Sequence, residues 1–127
     1  MLESSDSSVY RSAHGLTITI RTLPGDGRRA YMCLAGEIDR DSSAILSRTV
    51  DWLTRVAPVS VLVDLAALTF ACSALPNFLA SVRHAVPGDA EVVLWRPRPE
   101  IEWVLRATDM AAIATIRGEP TGAGDVR

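Results

Sequence analysis

The feature that most constrains the fold is a long, mostly apolar run in the middle of the chain, VSVLVDLAALTFACSALPNFLA (Val59–Ala80). Its first part, Val59–Asp64, is rich in β-branched residues at both alternating positions, which predicts a central strand covered on two sides. Its last part predicts a helix from Ser73 to Ala85, with apolar residues at helical spacing. A strand that leads through a short link into a helix indicates a parallel crossover, and therefore an α/β sheet.

The segments before this run predict a sheet that opens with an antiparallel hairpin. Leu16–Ile20 alternates apolar residues with threonine, and Tyr31–Ala35 forms a second apolar segment after a loop rich in Gly and Pro. A first helix is predicted to begin near Ser42, with the Asp41 carboxylate as its N-terminal cap.

Three shorter elements are predicted after the long run. They are a strand at Val92–Trp95, a helix from Pro99 and an optional last strand at Ala114–Ile116. The order ββαβαβα predicts one α/β domain with a mixed central sheet and about three to four helices.

The length of 127 residues suits a single domain. Residues 1–13 are rich in serine and residues 118–127 lack apolar periodicity, so both are predicted to be disordered tails around a domain at 14–117. The formal net charge of −2 provides no positive field for nucleic acid. Nucleic-acid binding is therefore not predicted. No stretch approaches the roughly 18 apolar residues of a membrane helix, so direct membrane insertion is not predicted either.

Several chemistries are excluded or disfavoured by residue type. All 13 basic residues are arginine, and a chain without lysine has no primary amine on a side chain for a Schiff base or a P-loop. Cys33 and Cys72 lie far apart with no CxxC spacing, which argues against a disulfide framework or a zinc site and favours a reducing cytoplasm. We therefore predict a cytoplasmic protein with no metal or cofactor.

Three stretches, in this order, resemble the STAS domain of the anti-sigma factor antagonist family. They are LAGEIDRDSSAIL (Leu34–Leu46), VSVLVDLAALTF (Val59–Phe70) and ACSALPNFLASV (Ala71–Val82). The resemblance implies a STAS-like fold and a regulatory role without catalysis. Family members bind an anti-sigma factor that is also a serine kinase and displace the sigma factor. The kinase inactivates them by phosphorylating a D-S-S-G or D-S-T-G loop, because the phosphate adds nearly two negative charges at the interface.

This sequence departs from the family pattern at that loop. Aligned without gaps on the preceding LTF, the family aspartate falls on Cys72, its first serine on Ser73, its phosphoacceptor on Ala74 and its glycine on Leu75. The resemblance therefore implies that the acceptor hydroxyl is missing. Two interpretations of Ser73 stay open, a phosphosite after a shift of one residue and a helix cap. Pro76 removes one amide donor that a phosphate at a helix start would use.

The resemblance also implies a docking surface for a kinase-type anti-sigma factor. The surface is predicted to combine the turn Asp39–Ser42 before the first helix, the loop Phe70–Leu75 before the second helix and the polar face of that second helix. Its residues are Asp39, Arg40, Asp41, Ser42, Cys72, Ser73, Ala74, Leu75, Asn77, Ser81 and His84. The oligomeric state, monomer or homodimer, is left open.

Two other functions compete with this one. The first is a STAS-type scaffold or accessory subunit of a transporter or signalling complex, and the second is a thiol sensor built on Cys72, whose plainer interpretation is a small apolar residue. Asp64 is either a ligand or base, or the cap of a turn. Trp103 lies off the apolar stripe of the third helix, where it either covers a sheet edge or contacts a partner.

Overall fold

The computed structural model describes residues 8–13, 15–23 and 28–118. Within this part, the chain forms seven strands and three α-helices. The strands are β1 (Ser8–Ala13), β2 (Leu16–Leu23), β3 (Arg29–Ile38), β4 (Ser60–Asp64), β5 (Leu68–Ala71), β6 (Glu91–Trp95) and β7 (Thr115–Arg117). The helices are α1 (Ser43–Val56), α2 (Ala74–Ala85) and α3 (Pro99–Ala107), and short 3₁₀ turns lie at Arg40–Ser42 and Met110–Ala112.

All seven strands belong to one mixed sheet in the order β1-β2-β3-β4-β6-β7, with β5 paired to β3 beside the end of β4. The pairs β1–β2 and β2–β3 are antiparallel, and the pairs from β3 onwards are parallel. From β3 to β7 the order advances in one direction, so right-handed crossovers place the helices on one face of the sheet. The predicted α/β class, opening hairpin and mixed sheet are confirmed.

The core lies between this helical face and the alternate residues of the strands. Ile18, Ile20, Met32, Val63 and Leu94 are almost completely buried there. The alternation in β2, where Leu16, Ile18 and Ile20 are buried and the threonines between them are half-buried, follows from the period of two in a strand.

The opposite face of the sheet has no helical layer among the described residues. Leu62 of β4 and Val93 of β6 lie on this face as register partners, and both are only half-buried. The prediction that the central strand is covered on two sides is therefore wrong. The β-branched composition of Val59–Asp64 reports strand propensity, which does not distinguish a covered face from an open one.

Two segments differ from their predicted structure. Ser8–Ala13, predicted to belong to a tail, forms β1 and pairs along its whole length with β2, so the tail prediction for 1–13 is wrong over this segment. The link after β4 contains β5, which the sequence analysis missed because a strand of four residues carries almost no periodic signal. The predictions for residues 1–7 and for 119–127 lie outside the described residues.

Candidate functional site

The turn that leads from β3 into α1 is closed by a reciprocal pair of hydrogen bonds. The Asp39 carboxylate accepts from the Asp41 amide at 2.9 Å, and the Ser42 hydroxyl accepts from the Asp39 amide at 3.1 Å. This is a capping box around the 3₁₀ turn that precedes α1. The cap is thus Asp39, and the prediction that Asp41 caps the helix is wrong. Asp41 is left exposed at the surface.

Two residues predicted to contact a partner are instead buried. Ser42 has no exposed surface because it lies inside the capping box, and Leu75 is completely buried in the core. Both predictions of partner contact are therefore wrong, and the two residues hold the turn and the start of α2 in place. Asp39 is half-exposed, whereas Arg40 and Asp41 are exposed.

The loop before α2 lies directly beside this turn. The Ile38 carbonyl accepts from the Cys72 amide at 3.1 Å, and Ile38 and Ala71 are register partners in the β3–β5 pair. The strand pairing therefore brings the segment after Ile38 next to Cys72 and Ser73. Ser73 occupies the position before α2, where it is exposed, and its hydroxyl makes no capping hydrogen bond.

The first turn of α2 has its amides engaged within the protein. The Ala74 amide donates to the Cys72 sulfur at 3.4 Å, and the Leu75 amide donates to the Cys72 carbonyl at 3.0 Å. Pro76 has no amide hydrogen, and the Asn77 amide donates to the Ser73 carbonyl at 3.4 Å. A helix start holds an anion through its unpaired amides. The Cys72 thiol makes the capping contact here.

A groove of about 320 Å³ runs between α1 and α2 from this loop. Its walls combine small polar residues with apolar ones. They are Ser43, Leu46, Ser47 and Val50 on α1, and Ala74, Asn77, Phe78 and Ser81 on α2. A second depression continues the groove toward the C-terminal end of α2, where it is lined by Val50, Thr54, Ser81, His84 and Ala85.

The groove brings together part of the predicted surface and adds residues that the sequence analysis missed. Asn77 and Ser81 line its first part and His84 its second, so the predicted polar face of α2 forms one wall. The missed wall is α1, where Ser43 and Ser47 are one helical turn apart. The available signal was this pair of small polar residues at a spacing of four, which places them on one helix face.

A separate polar cluster lies at the end of β4, beneath the open sheet face. The Asp64 carboxylate, about 3% exposed, accepts from the Tyr31 hydroxyl at 2.6 Å and from the Arg96 guanidinium at 2.9 Å. It also accepts from the Ala66 amide at 3.1 Å, so the turn-capping interpretation of Asp64 is confirmed. The Arg96 guanidinium lies over the Trp95 ring, 4.2 Å from its centroid. Arg96 has a φ of 57°, an uncommon value for a residue with a side chain.

The electrostatics of this cluster favour a structural role. Burial alone would raise the pKa of Asp64, but the hydrogen bonds from Tyr31, Ala66 and Arg96 outweigh it and hold the pKa below its ordinary value. Burial and the hydrogen bond to Asp64 raise the pKa of Tyr31. Burial and the nearby Asp64 charge raise the pKa of the Cys33 thiol, which makes it a poorer source of thiolate.

The described residues contain neither a metal-binding cluster nor a membrane-spanning helix. In the ranges 8–13, 15–23 and 28–118, no group of three or more His, Cys, Asp or Glu side chains is placed to hold a metal ion. None of the helices described above has the length and apolar character required to cross a bilayer.

Comparison with solved structures identifies the architecture. An anti-sigma factor antagonist from Mycobacterium paratuberculosis superposes with a TM-score of 0.68 at 15% identity, over 94% of this chain and 91% of that chain. This protein has the STAS fold. The anti-sigma factor antagonist SpoIIAA in its unphosphorylated form matches with a TM-score of 0.62 at 13% identity, over 95% of this chain and 96% of that one.

The phosphorylated form of the Bacillus cell fate determinant SpoIIAA matches with a TM-score of 0.52 at 12% identity, over 95% of this chain and the full 100% of that one. No protein-family model matches the sequence, and no curated protein sequence matches it. At these identities the likeness concerns the STAS fold, and it confirms the fold expected from the three family-like stretches.

Proposed function

We propose that this protein is a cytoplasmic regulatory binding module, of the anti-sigma factor antagonist type, that docks on a kinase-type anti-sigma factor. The observation that carries the proposal is the α1–α2 groove on a STAS fold, which begins at the loop aligned with the family phosphorylation loop. Ala74, which follows the exposed Ser73, lines the first part of the groove, and His84 lines its continuation. Its mixed polar and apolar walls suit a protein partner.

We further propose that the protein acts without a phosphorylation switch. The acceptor-equivalent residue is Ala74, which has no hydroxyl, and the amides of the first α2 turn are engaged by Cys72 and Ser73. A phosphate on Ser73 would find no amide in this turn to accept from, so the helix start would stabilise it little. The docking surface would then stay permanently in its unphosphorylated form.

Filling the groove is expected to abolish docking. In Ser81→Trp an indole would occupy the space between α1 and α2, and we expect the affinity for the host's kinase-type anti-sigma factors to fall more than about 10-fold. Arg48→Trp is the matched control and should bind like the wild type, because Arg48 is exposed on α1 and no groove-lining residue lies three or four positions from it. The measurement is titration calorimetry with each purified anti-sigma factor. Equal affinities for both variants would contradict the proposed docking site.

Incubation with such a kinase and ATP is expected to leave the wild type almost unlabelled, because Ala74 offers no acceptor. Intact-mass spectrometry would measure the phosphate incorporated per chain. Ala74→Ser restores a hydroxyl at the acceptor-equivalent position, so labelling of this variant shows whether the kinase engages the loop. Ser73→Ala removes the other candidate hydroxyl. If the wild type is labelled stoichiometrically and Ser73→Ala is not, the proposal that the protein acts without a phosphorylation switch is overturned.

The missing acceptor also favours a second candidate function, a scaffold or accessory subunit that uses the same surface without a switch. Co-purification of the tagged protein with transporter or signalling subunits, and with no sigma regulator, would support this second function over the first.

A further inference from the structure

The described residues include three large apolar side chains that are more than half exposed, and one of them adjoins the docking loop. Phe70 in β5 is 51% exposed and stands two residues before Cys72. Val59 lies just before the N-terminal end of β4. Trp103 lies on the outward side of α3, away from the buried Ile101 and Leu105 of the same helix. Exposure of a single apolar residue needs no explanation, so the case for Phe70 depends on its surroundings.

The backbone around Phe70 is fixed on both sides. Phe70 is paired with Glu37 in the β3–β5 ladder, and the Cys72 amide donates to the Ile38 carbonyl just after it. Just before it, the Thr69 hydroxyl donates to the Gly36 carbonyl at 3.0 Å. A side chain on a backbone that is already ordered before binding costs less conformational entropy on association, which suits an anchor residue. Aromatic residues in such positions are typical interface hot spots.

The charge beside the ring indicates the chemistry of the partner. Glu37 is the register partner of Phe70, directly after a register shift in the parallel β3–β5 pair, and both residues are exposed, so the two residues lie side by side at the surface. Two ion pairs join described residues, Arg96 with Asp64 and Arg106 with Glu102, and neither involves Glu37. A carboxylate beside an exposed ring is complementary to an apolar pocket with a basic residue at its rim.

We propose that Phe70 is the aromatic anchor of the docking surface and inserts into an apolar pocket of the partner that is bordered by a basic side chain facing Glu37. This inference rests on the proposed function, because it takes the partner to be a kinase-type anti-sigma factor. It extends the docking surface from the α1–α2 groove across the loop to the exposed side of β5. The partner therefore contacts the protein on both sides of the loop that contains Cys72 and Ser73.

The test compares Phe70→Ala with Trp103→Ala, an aromatic truncation of similar or greater exposure on another element. Binding to each purified kinase-type anti-sigma factor of the host is measured by titration calorimetry. We expect Phe70→Ala to weaken binding about 30-fold or more and Trp103→Ala less than about 3-fold. Glu37→Gln should weaken binding several-fold at low ionic strength, with a smaller effect at high ionic strength because salt screens the pair. Thermal unfolding of all variants should stay close to that of the wild type.

The possible outcomes separate this inference from the proposed function. If the wild type binds none of the anti-sigma factors, the proposed function is overturned and the anchor with it. If the wild type binds but Phe70→Ala loses less than about 3-fold, or loses no more than Trp103→Ala, only the anchor is overturned. If the loss of affinity in Glu37→Gln does not change with salt, the proposed basic side chain at the rim of the partner's pocket is overturned.

Discussion

Gly36→Ala is expected to destabilise the protein by about 3 kcal/mol or more, enough to lower the midpoint of thermal unfolding by roughly 10 °C. Gly36 lies in β3 with a φ of 105°, where an L side chain is strained. A Cβ at this position would stand 2.0 Å from the Gly15 carbonyl oxygen and 3.2 Å from its carbon. Because those atoms are backbone, the strands would have to separate to admit a methyl group.

The close approach is part of the sheet itself. The Gly15 carbonyl accepts from the Glu37 amide at 3.1 Å, so the β2–β3 pairing holds that oxygen against Gly36. Gly15→Ala is the matched control, since Gly15 also has a positive φ of 84° but has nothing within 4 Å of an added Cβ. It should cost only about 1 kcal/mol. Urea titration gives both free energies of unfolding. Equal losses would show that backbone strain, and not the contact with Gly15, determines the requirement for glycine.

Asp64→Asn is expected to lower the free energy of unfolding by about 2 kcal/mol at neutral pH. The substitution keeps the shape of the side chain but removes the charge that accepts from Tyr31 and Arg96. The figure stays below that of a fully buried ion pair because the Arg96 side chain is 37% exposed and therefore partly screened. Tyr31→Phe removes only one of the three hydrogen bonds to Asp64 and should cost about 1 kcal/mol.

The pH dependence of the Asp64 contribution has a definite sign. The pKa of Asp64 is lower in the folded protein than its ordinary value, so the folded state binds the proton less tightly than the unfolded chain does. The stabilisation is complete above the unfolded pKa of about 4 and is lost as the pH falls through the lower folded pKa. The difference between wild type and Asp64→Asn should therefore shrink on acidification. A difference that stays constant from neutral pH to about pH 3 would contradict this account.

Much of the fold follows from local patterns in the sequence. The strands near Leu16, Tyr31 and Val92 and the helix from Pro99 were predicted because periodicities of 2 and 3.6 depend only on neighbouring residues. The order of these elements restricts the connections between them, and the three family-like stretches led to the STAS fold that the superpositions show.

The parts of the candidate site that were wrong share a cause, since each depends on which atoms lie opposite one another in space. Asp39 and Asp41 are equally suited to a cap by residue type, and only the local backbone assigns that role to Asp39. Ser42 and Leu75 belong to segments that resemble the family's surface loops, but packing buries both.

The sequence by itself determined the alternation of strands and helices, the α/β class and the absence of a hydroxyl at Ala74, because each is a property of residues close together in the chain. Only the tertiary structure decided that the sheet keeps one open face, that α1 supplies the second wall of the groove, and that Glu37 and Phe70 lie side by side. These arrangements depend on the direction of the crossovers and on strand register, which join residues far apart in sequence.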